Sequence, residues 1–237
     1  MSEPFQSFDE VRIINLVDRK DRRREITEQL DKIGGLASNI SFFDAHRPES
    51  PGEFPSLGAR GCFESHLSIL REARDRKVQT LLILEDDLDF TRDGRARMEP
   101  IFAELGSKEW SFFYGAHVMP ANGRRGLAEI GADEPIMTTS FVAARGAAIP
   151  ELVEFLQAMS KRPAGSPDWG PMHVDGAYTV FRQLNPNRRT FAAFPSLGRQ
   201  RSSPSDVTQS QMILDRWAGT RLIASHLRRG YNWMKRR

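Results

Sequence analysis

Residues 78–89 read VQTLLILEDDLD, an apolar run that leads directly into a dense group of carboxylates. The apolar part has the length and composition of a buried strand. Four carboxylates follow, at Glu85, Asp86, Asp87 and Asp89. Like charges this close repel each other unless a cation or a set of donors compensates them. A hard cation such as Mg²⁺ or Mn²⁺ would compensate these charges. Because ligands of open α/β sheets bind at strand tips, such a site is as compatible with this position as a solvated acidic loop.

Composition narrows the class of protein. With 237 residues the chain can bury a large core, either one α/β domain or two small ones. The single cysteine, Cys62, excludes an internal disulfide and a zinc ribbon. No apolar stretch reaches the roughly 18 residues of a transmembrane span, and the polar start is not a signal peptide, so we expect a cytoplasmic protein. A net charge of +3 is too small to indicate nucleic-acid binding.

Strand-like and helix-like segments alternate along the chain. This alternation predicts an α/β fold whose mostly parallel central sheet is covered by helices. We expect one domain over residues 1–212, followed by a basic amphipathic helix over 213–237. The predicted strands are 11–16, 40–43, 78–84, 111–116, 136–144 and 190–194, and the predicted helices are 18–33, 59–77, 147–159 and 173–183.

Basic side chains crowd the start of the first predicted helix, at Arg19, Lys20, Arg22 and Arg23. The helix dipole disfavours cations there by about 0.3 kcal/mol or more each, and an anionic ligand would reverse this cost. Phosphates bind at helix N-termini for the same reason, and arginine adds bidentate contacts. The alternative is a solvated basic face that neighbouring acidic residues partly neutralise.

Cys62 and His66 lie four residues apart, on one face of the predicted helix 59–77. The pair has the spacing of a thiol nucleophile and its base. A small buried thiol and a hydrogen-bonded core histidine are commoner, and we favour that interpretation.

Four segments together resemble glycosyltransferase family 25, which includes bacterial galactosyltransferases of lipooligosaccharide synthesis. The resemblance spans about residues 11–207 and is strongest over the first ninety or so. Weaker similarity follows at Val174, Asp175 and residues 195–206. The segments that carry it are INLVDRKDRR at 14–23, FFDA at 42–45, GCFESHL at 61–67 and LILEDD at 82–87.

The resemblance implies a GT-A fold, a nucleotide-binding α/β sandwich. It also implies metal-dependent transfer of a hexose, most often galactose from UDP-galactose, with Mn²⁺ or Mg²⁺ as the metal. In similar enzymes the acidic triplet, here Glu85, Asp86 and Asp87, acts as the DxD motif, so Asp87 would bind the metal directly. Asp89 would be a second ligand or only a cap for the next turn. The residues expected around the nucleotide are Asn15, Leu16, Arg19, Arg22, Glu85 and Asp86.

An inverting transfer needs a base that deprotonates the acceptor hydroxyl, and Asp175 is the first candidate. It follows a loop rich in Pro and Gly, where Trp169 is placed to stack on a sugar ring. Asp175 would equally serve as the cap of the helix after it, and the two roles are compatible. Gln200 and Ser202 are weaker candidates for donor or phosphate contacts.

The segment from Arg216 to Arg237 holds seven basic and no acidic side chains. As a helix it would be amphipathic, which is typical of a membrane-surface element and suits a glycan or glycolipid acceptor. Packing of its apolar face on the domain is equally compatible with the pattern. We therefore expect a glycosyltransferase of surface polysaccharide or lipopolysaccharide biosynthesis, cytoplasmic or peripheral at the inner face of the membrane.

Two other functions fit the same motifs. A nucleotidyltransferase or nucleotide-binding domain would use metal and phosphate chemistry without sugar transfer. A non-catalytic family member would bind a saccharide or a partner only.

Overall fold

The computed structural model describes residues 5–201, and those up to Gln200 form one compact unit. Strands and helices alternate through most of it. In chain order they are β1 (Glu10–Asn15), α1 (Lys20–Ile33), β2 (Ile40–Asp44), α2 (Leu57–Asp75), β3 (Thr80–Glu85), β4 (Leu88–Phe90), α3 (Gly94–Gly106), β5 (Phe112–Val118), β6 (Gly126–Ile130), β7 (Met137–Arg145), α4 (Ala148–Ser160), α5 (Val174–Leu184), β8 (Thr190–Phe194) and β9 (Gly198–Gln200).

One nine-stranded sheet lies at the centre of the described residues, with the order β2-β1-β3-β7-β5-β8-β6 and with β4 and β9 attached beside β5. The paired strands give six running in one direction, while β4, β6 and β7 run in the other. The predicted α/β fold with a mostly parallel sheet is therefore confirmed. The alternation did not predict that β7 would run antiparallel between β3 and β5, since such a pattern carries no information on strand direction.

Helices cover both faces of the sheet because its central strands are apolar on both sides. On β3, Leu82 and Leu84 face α1 and α3, whereas Leu81 and Ile83 face α2, α4 and α5. The spacing of Ile26, Leu30 and Ile33 gives α1 its buried stripe. The result is a three-layer sandwich with one apolar core on each side of the sheet.

All ten predicted strands and helices exist, and their ends agree within two residues. The strands β4, β6 and β9 and the helix α3 were not predicted. The predicted C-terminal helix over 213–237 lies outside the described residues, so the helix and the domain boundary at 212 stay predictions. None of the helices described between residues 5 and 201 is both long and apolar enough to cross a membrane.

Candidate functional site

The candidate site lies at the edge of the sheet where β1 and β3 end. Asn15 is the last residue of β1 and Glu85 is the last of β3, and these two strands are parallel neighbours. Because β7 runs antiparallel to β3, its first residues lie at the same edge. The acidic cluster and the turn between β1 and α1 are thereby brought together, as the sequence predicts.

Asp86 links the acidic cluster to that turn. The side-chain amide of buried Asn15 donates to Asp86 Oδ2 at 2.7 Å, and Arg22 Nη1 donates to Asp86 Oδ1 at 3.2 Å. Asn15 also donates to the backbone carbonyl of Arg19 at 3.3 Å. Both oxygens of Asp86 therefore have protein donors, and its side chain organises the turn.

Asp87 lies beside Asp86 and is less completely satisfied. Gln200 Nε2 donates to Asp87 Oδ2 at 3.0 Å, and Arg22 Nη1 lies 3.6 Å from the same oxygen. Asp87 Oδ1 is buried without a hydrogen-bond partner among the described residues. Burial, with the nearby charge of Glu85, raises the pKa of Asp87 to about 7 despite the Gln200 bond. The negative charge of Asp87 is thus only partly balanced by the described donors.

A hard divalent cation fits this arrangement. Such ions prefer carboxylate oxygens, and Asp87 Oδ1 is a buried oxygen that no described donor satisfies. Bound there, the ion would neutralise the charge that burial makes costly. Arg22 and the backbone at the start of α1 add positive charge on the neighbouring side. The site can therefore accommodate a metal together with a negatively charged ligand.

Glu85 points toward α2 and β7. Thr139 Oγ1 donates to Glu85 Oε1 at 3.0 Å, and His66 Nε2 lies 3.7 Å from that oxygen. His66 is fully buried, with its Nδ1 3.2 Å from the hydroxyl of Tyr178 on α5. The expected core histidine is thus confirmed, although only one of its ring nitrogens has a hydrogen-bond partner among the described residues.

Asp175 reaches the same edge of the sheet from α5. The backbone N–H of Thr138 donates to Asp175 Oδ2 at 3.3 Å, and Gly176 N–H donates to Oδ1 at 2.9 Å. Thr138 has a φ of 71°, a left-handed conformation that β-branched residues rarely adopt. Since Thr139 is bonded to Glu85, the start of β7 joins the candidate base to the acidic cluster.

The helix α5 has His173 as its N-cap residue, so the expectation that Asp175 is the cap is wrong. Asp175 instead lies in the first helical turn, where a carboxylate complements the helix dipole. Trp169 precedes this helix and packs partly buried against the α2, α4 and α5 side of the core.

The described hydrogen bonds and strand pairings of Leu16, Arg19 and Asp89 are made outside Glu85, Asp86 and Asp87, although the charge of Asp86 acts on Arg19. The side chain of Arg19 is paired with Asp21 at 2.8 Å on the surface, so among the basic residues of the turn Arg22 is the one shown bonded to the acidic triplet. Leu16 is half-buried and its carbonyl accepts from Arg19 N–H. Asp89 lies within β4 opposite Arg199, and the N-cap of α3 is Asp93. The two roles suggested for Asp89, second metal ligand or cap of the next turn, stay predictions.

Sequence reasoning missed Thr138, Thr139 and Tyr178. The pair Thr138-Thr139 precedes the apolar part of its strand, Phe141 to Ala144, which was the available signal. Tyr178 gave none, because its place beside His66 depends on the packing of α5 against α2. Ser202 lies outside the described residues.

Residues 8–118 match the family model described as "Glycosyltransferase family 25 (LPS biosynthesis protein)". The chain is similar to procollagen galactosyltransferase 1 of Danio rerio, with 33% identity over 127 residues that cover 45% of this chain and 21% of the relative. It is also similar to inactive glycosyltransferase 25 family member 3 of Homo sapiens, with 28% identity over 127 residues that cover 45% and 21%. The chain therefore spans about a fifth of the length of these curated relatives.

A similar solved structure is that of a glycosyltransferase involved in the glycosylation of the major capsid of PBCV-1. It covers 83% of this chain and 96% of the other, with a TM-score of 0.51 and 13% sequence identity. This likeness concerns the fold, and it agrees with the expected GT-A class.

Proposed function

We propose that the chain, whose residues 8–118 match the family model of glycosyltransferase family 25, transfers a hexose, galactose foremost, from a UDP-sugar to a hydroxyl group of a saccharide or lipid-linked glycan. The observation that carries the proposal is the pairing of an incompletely satisfied buried carboxylate, Asp87, with an arginine at a helix start. The diphosphate of a sugar nucleotide would bind both the arginine and the metal ion that the carboxylate holds.

The donor would lie along the edge formed by Asn15, Arg22 and the acidic triplet. Asp87 would hold Mn²⁺ or Mg²⁺, which stabilises the charge that develops on a departing diphosphate. Asn15 and Arg22 hold Asp86 and keep the turn in place. Gln200 donates to Asp87 and thereby orients its carboxylate.

Asp175 is our candidate for the base of an inverting transfer. It would accept the proton of the acceptor hydroxyl as that oxygen attacks the anomeric carbon. Hydrogen bonds from the backbone N–H groups of Thr138 and Gly176 fix the position of this carboxylate. The link through Thr138 and Thr139 sets its position relative to the donor region.

The acceptor would belong to a surface glycan, such as a lipopolysaccharide. This part of the proposal is supported by the family description and by the basic C-terminal segment, which would contact the inner face of a cytoplasmic membrane. No nucleic acid is needed as a partner.

The test is the release of UDP from UDP-galactose and other UDP-sugars in the presence of Mn²⁺. Asp87→Asn is expected to lower turnover at least about 100-fold, since removal of a transition-state stabilising group has effects of that size. Asp75→Asn is the matched control, because its carboxylate is exposed at the end of α2 and paired with Arg74. Equal turnover of wild type and Asp87→Asn would contradict the proposal.

The same assay separates the other two functions. A preference for nucleoside triphosphates over UDP-sugars would favour a nucleotidyltransferase. UDP-sugar binding without transfer to any of a broad panel of acceptors would favour a non-catalytic protein. The similar human relative carries the word "inactive" in its name.

A further inference from the structure

A second group of metal-binding side chains lies beside the candidate site. Cys62, His66 and Glu85 each offer a ligand atom, and these three atoms all lie within 4.8 Å of one another. The helix α2 supplies the first two residues from one face, and the end of β3 supplies the third. The cluster shares Glu85 with the donor region proposed above, whereas Asp87 is not part of it.

The environment of His66 independently supports a ligand at this cluster. The residue is fully buried, and its Nε2 has no hydrogen-bond partner among the described residues. Glu85 Oε1 is 3.7 Å away, which is too long for a hydrogen bond. Two ligands of a tetrahedral zinc ion are separated by about 3.3–3.8 Å, given metal–ligand bonds of about 2.0–2.3 Å. The gap therefore has the width that a metal ion between the two atoms requires.

Tyr178 gives the imidazole the orientation that a metal ligand needs. Its hydroxyl lies 3.2 Å from His66 Nδ1, and the side chain is completely buried. When Nδ1–H donates to this oxygen, the lone pair is on Nε2 and faces Glu85. Outer-sphere hydrogen bonds of this kind commonly fix metal-ligating histidines.

We propose that Cys62, His66 and Glu85 form a binding site for Zn²⁺ or a cation of similar softness. A thiolate, an imidazole and a carboxylate favour such ions, whereas a carboxylate oxygen such as Asp87 Oδ1 favours Mn²⁺ or Mg²⁺. Binding would release the thiol proton to solvent. Three protein ligands leave a fourth position for water or another ligand.

The two sites meet through Glu85, which lies two residues before Asp87. A cation held by Glu85 would reduce the negative charge beside Asp87 and anchor the end of β3 to α2 and, through Tyr178, to α5. The proposal does not depend on the transferase activity, because Cys62 and His66 have no role in the proposed transfer and only Glu85 is shared with the donor region.

The test is titration of the full chain, purified without metal, with Co²⁺ as a spectroscopic substitute for Zn²⁺. We expect thiolate-to-cobalt charge-transfer absorption that saturates at one equivalent and disappears when Zn²⁺ is added. Cys62→Ser should abolish this absorption and weaken Zn²⁺ binding at least about tenfold, the scale of effects known for ligand-shell changes. Thermal unfolding of the variant without metal checks that it folds.

Two further variants test whether the cation binds at this cluster. Glu64→Gln removes a carboxylate of α2 that is paired with Arg60 outside the cluster, and it should leave the absorption intact. Asp87→Asn should also retain it, so loss of sugar transfer in that variant would not bear on this proposal. Absence of the thiolate absorption, or equal Zn²⁺ affinity of wild type and Cys62→Ser, would overturn the proposal.

Discussion

At the scale of single residues, Asp87 shows most clearly how the fold creates chemistry. Its carboxylate is buried next to Glu85, and these two effects raise the pKa of Asp87 to about 7, against an ordinary value near 3.8. Gln200 and Arg22 oppose the shift but do not remove it. A residue in this state costs stability when ionised and recovers it when a cation binds.

This state predicts a pH-dependent stability difference. With a chelator present, folded wild type binds more protons at Asp87 than the unfolded chain between about pH 4 and pH 7, so its free energy of unfolding falls as the pH rises through that window. Asp87→Asn has no titrating carboxylate at this position, so its free energy of unfolding should not fall for this reason. We expect the variant to be close to wild type at pH 4 and more stable at pH 8, by up to about 4 kcal/mol for a shift of about three units.

Urea denaturation at both pH values measures the effect, with Asp75→Asn as an exposed control. The prediction fails if the stability difference between Asp87→Asn and wild type is the same at pH 4 and pH 8. Adding Mn²⁺ at pH 8 should stabilise wild type more than the variant.

At the scale of elements, α2 packs closely against the loop that follows β2. A Cβ added at Gly61 would lie 2.6 Å from the backbone oxygen of His46. The side chain of Ser65 reinforces this contact, because it accepts from His46 N–H at 2.9 Å and donates to the Gly61 carbonyl at 2.7 Å. The glycine of the family-like segment thus has a packing role.

Gly61→Ala should therefore lower the free energy of unfolding by about 1–3 kcal/mol, since backbone must shift to admit the methyl group. Gly58→Ala is the matched control in the same helix, where the nearest atom to an added Cβ is 4.0 Å away. It should be neutral or stabilising by up to about 1 kcal/mol. Chemical denaturation of both variants decides; a Gly61→Ala variant as stable as Gly58→Ala would contradict the packing role.

The periodicity of apolar residues predicted most helices and strands. Three of the elements that it missed, β4, β9 and α3, have identifiable physical reasons. The strands β4 and β9 have three residues each, too few for a recognisable pattern, and they form by pairing with each other. The helix α3 begins at Gly94 and contains Pro100, both of which weaken a helical signal. One of these unpredicted elements contributes to the site, because β9 carries Gln200, which donates to Asp87.

At the scale of the whole molecule, the sandwich collects the candidate site from distant parts of the chain. The acidic triplet and the basic turn lie within the matched residues 8–118, and their convergence was predictable from parallel strands ending at one edge. Thr139, Asp175 and Gln200 lie beyond that range. The positions of Thr139 and Asp175 follow from the antiparallel direction of β7 and the packing of α5, and that of Gln200 from the pairing of β9 with β4, none of which a local pattern records.

The central claim is that Asp87 and a divalent metal together bind the diphosphate of the donor. The most direct measurement is calorimetric titration of UDP into wild type, Asp87→Asn and Asp75→Asn, with Mn²⁺ and with a chelator. We expect Mn²⁺ to tighten UDP binding at least about tenfold, or 1.4 kcal/mol, in wild type and Asp75→Asn and to have little effect in Asp87→Asn. Equal UDP affinity in all three proteins, with or without Mn²⁺, would contradict the claim.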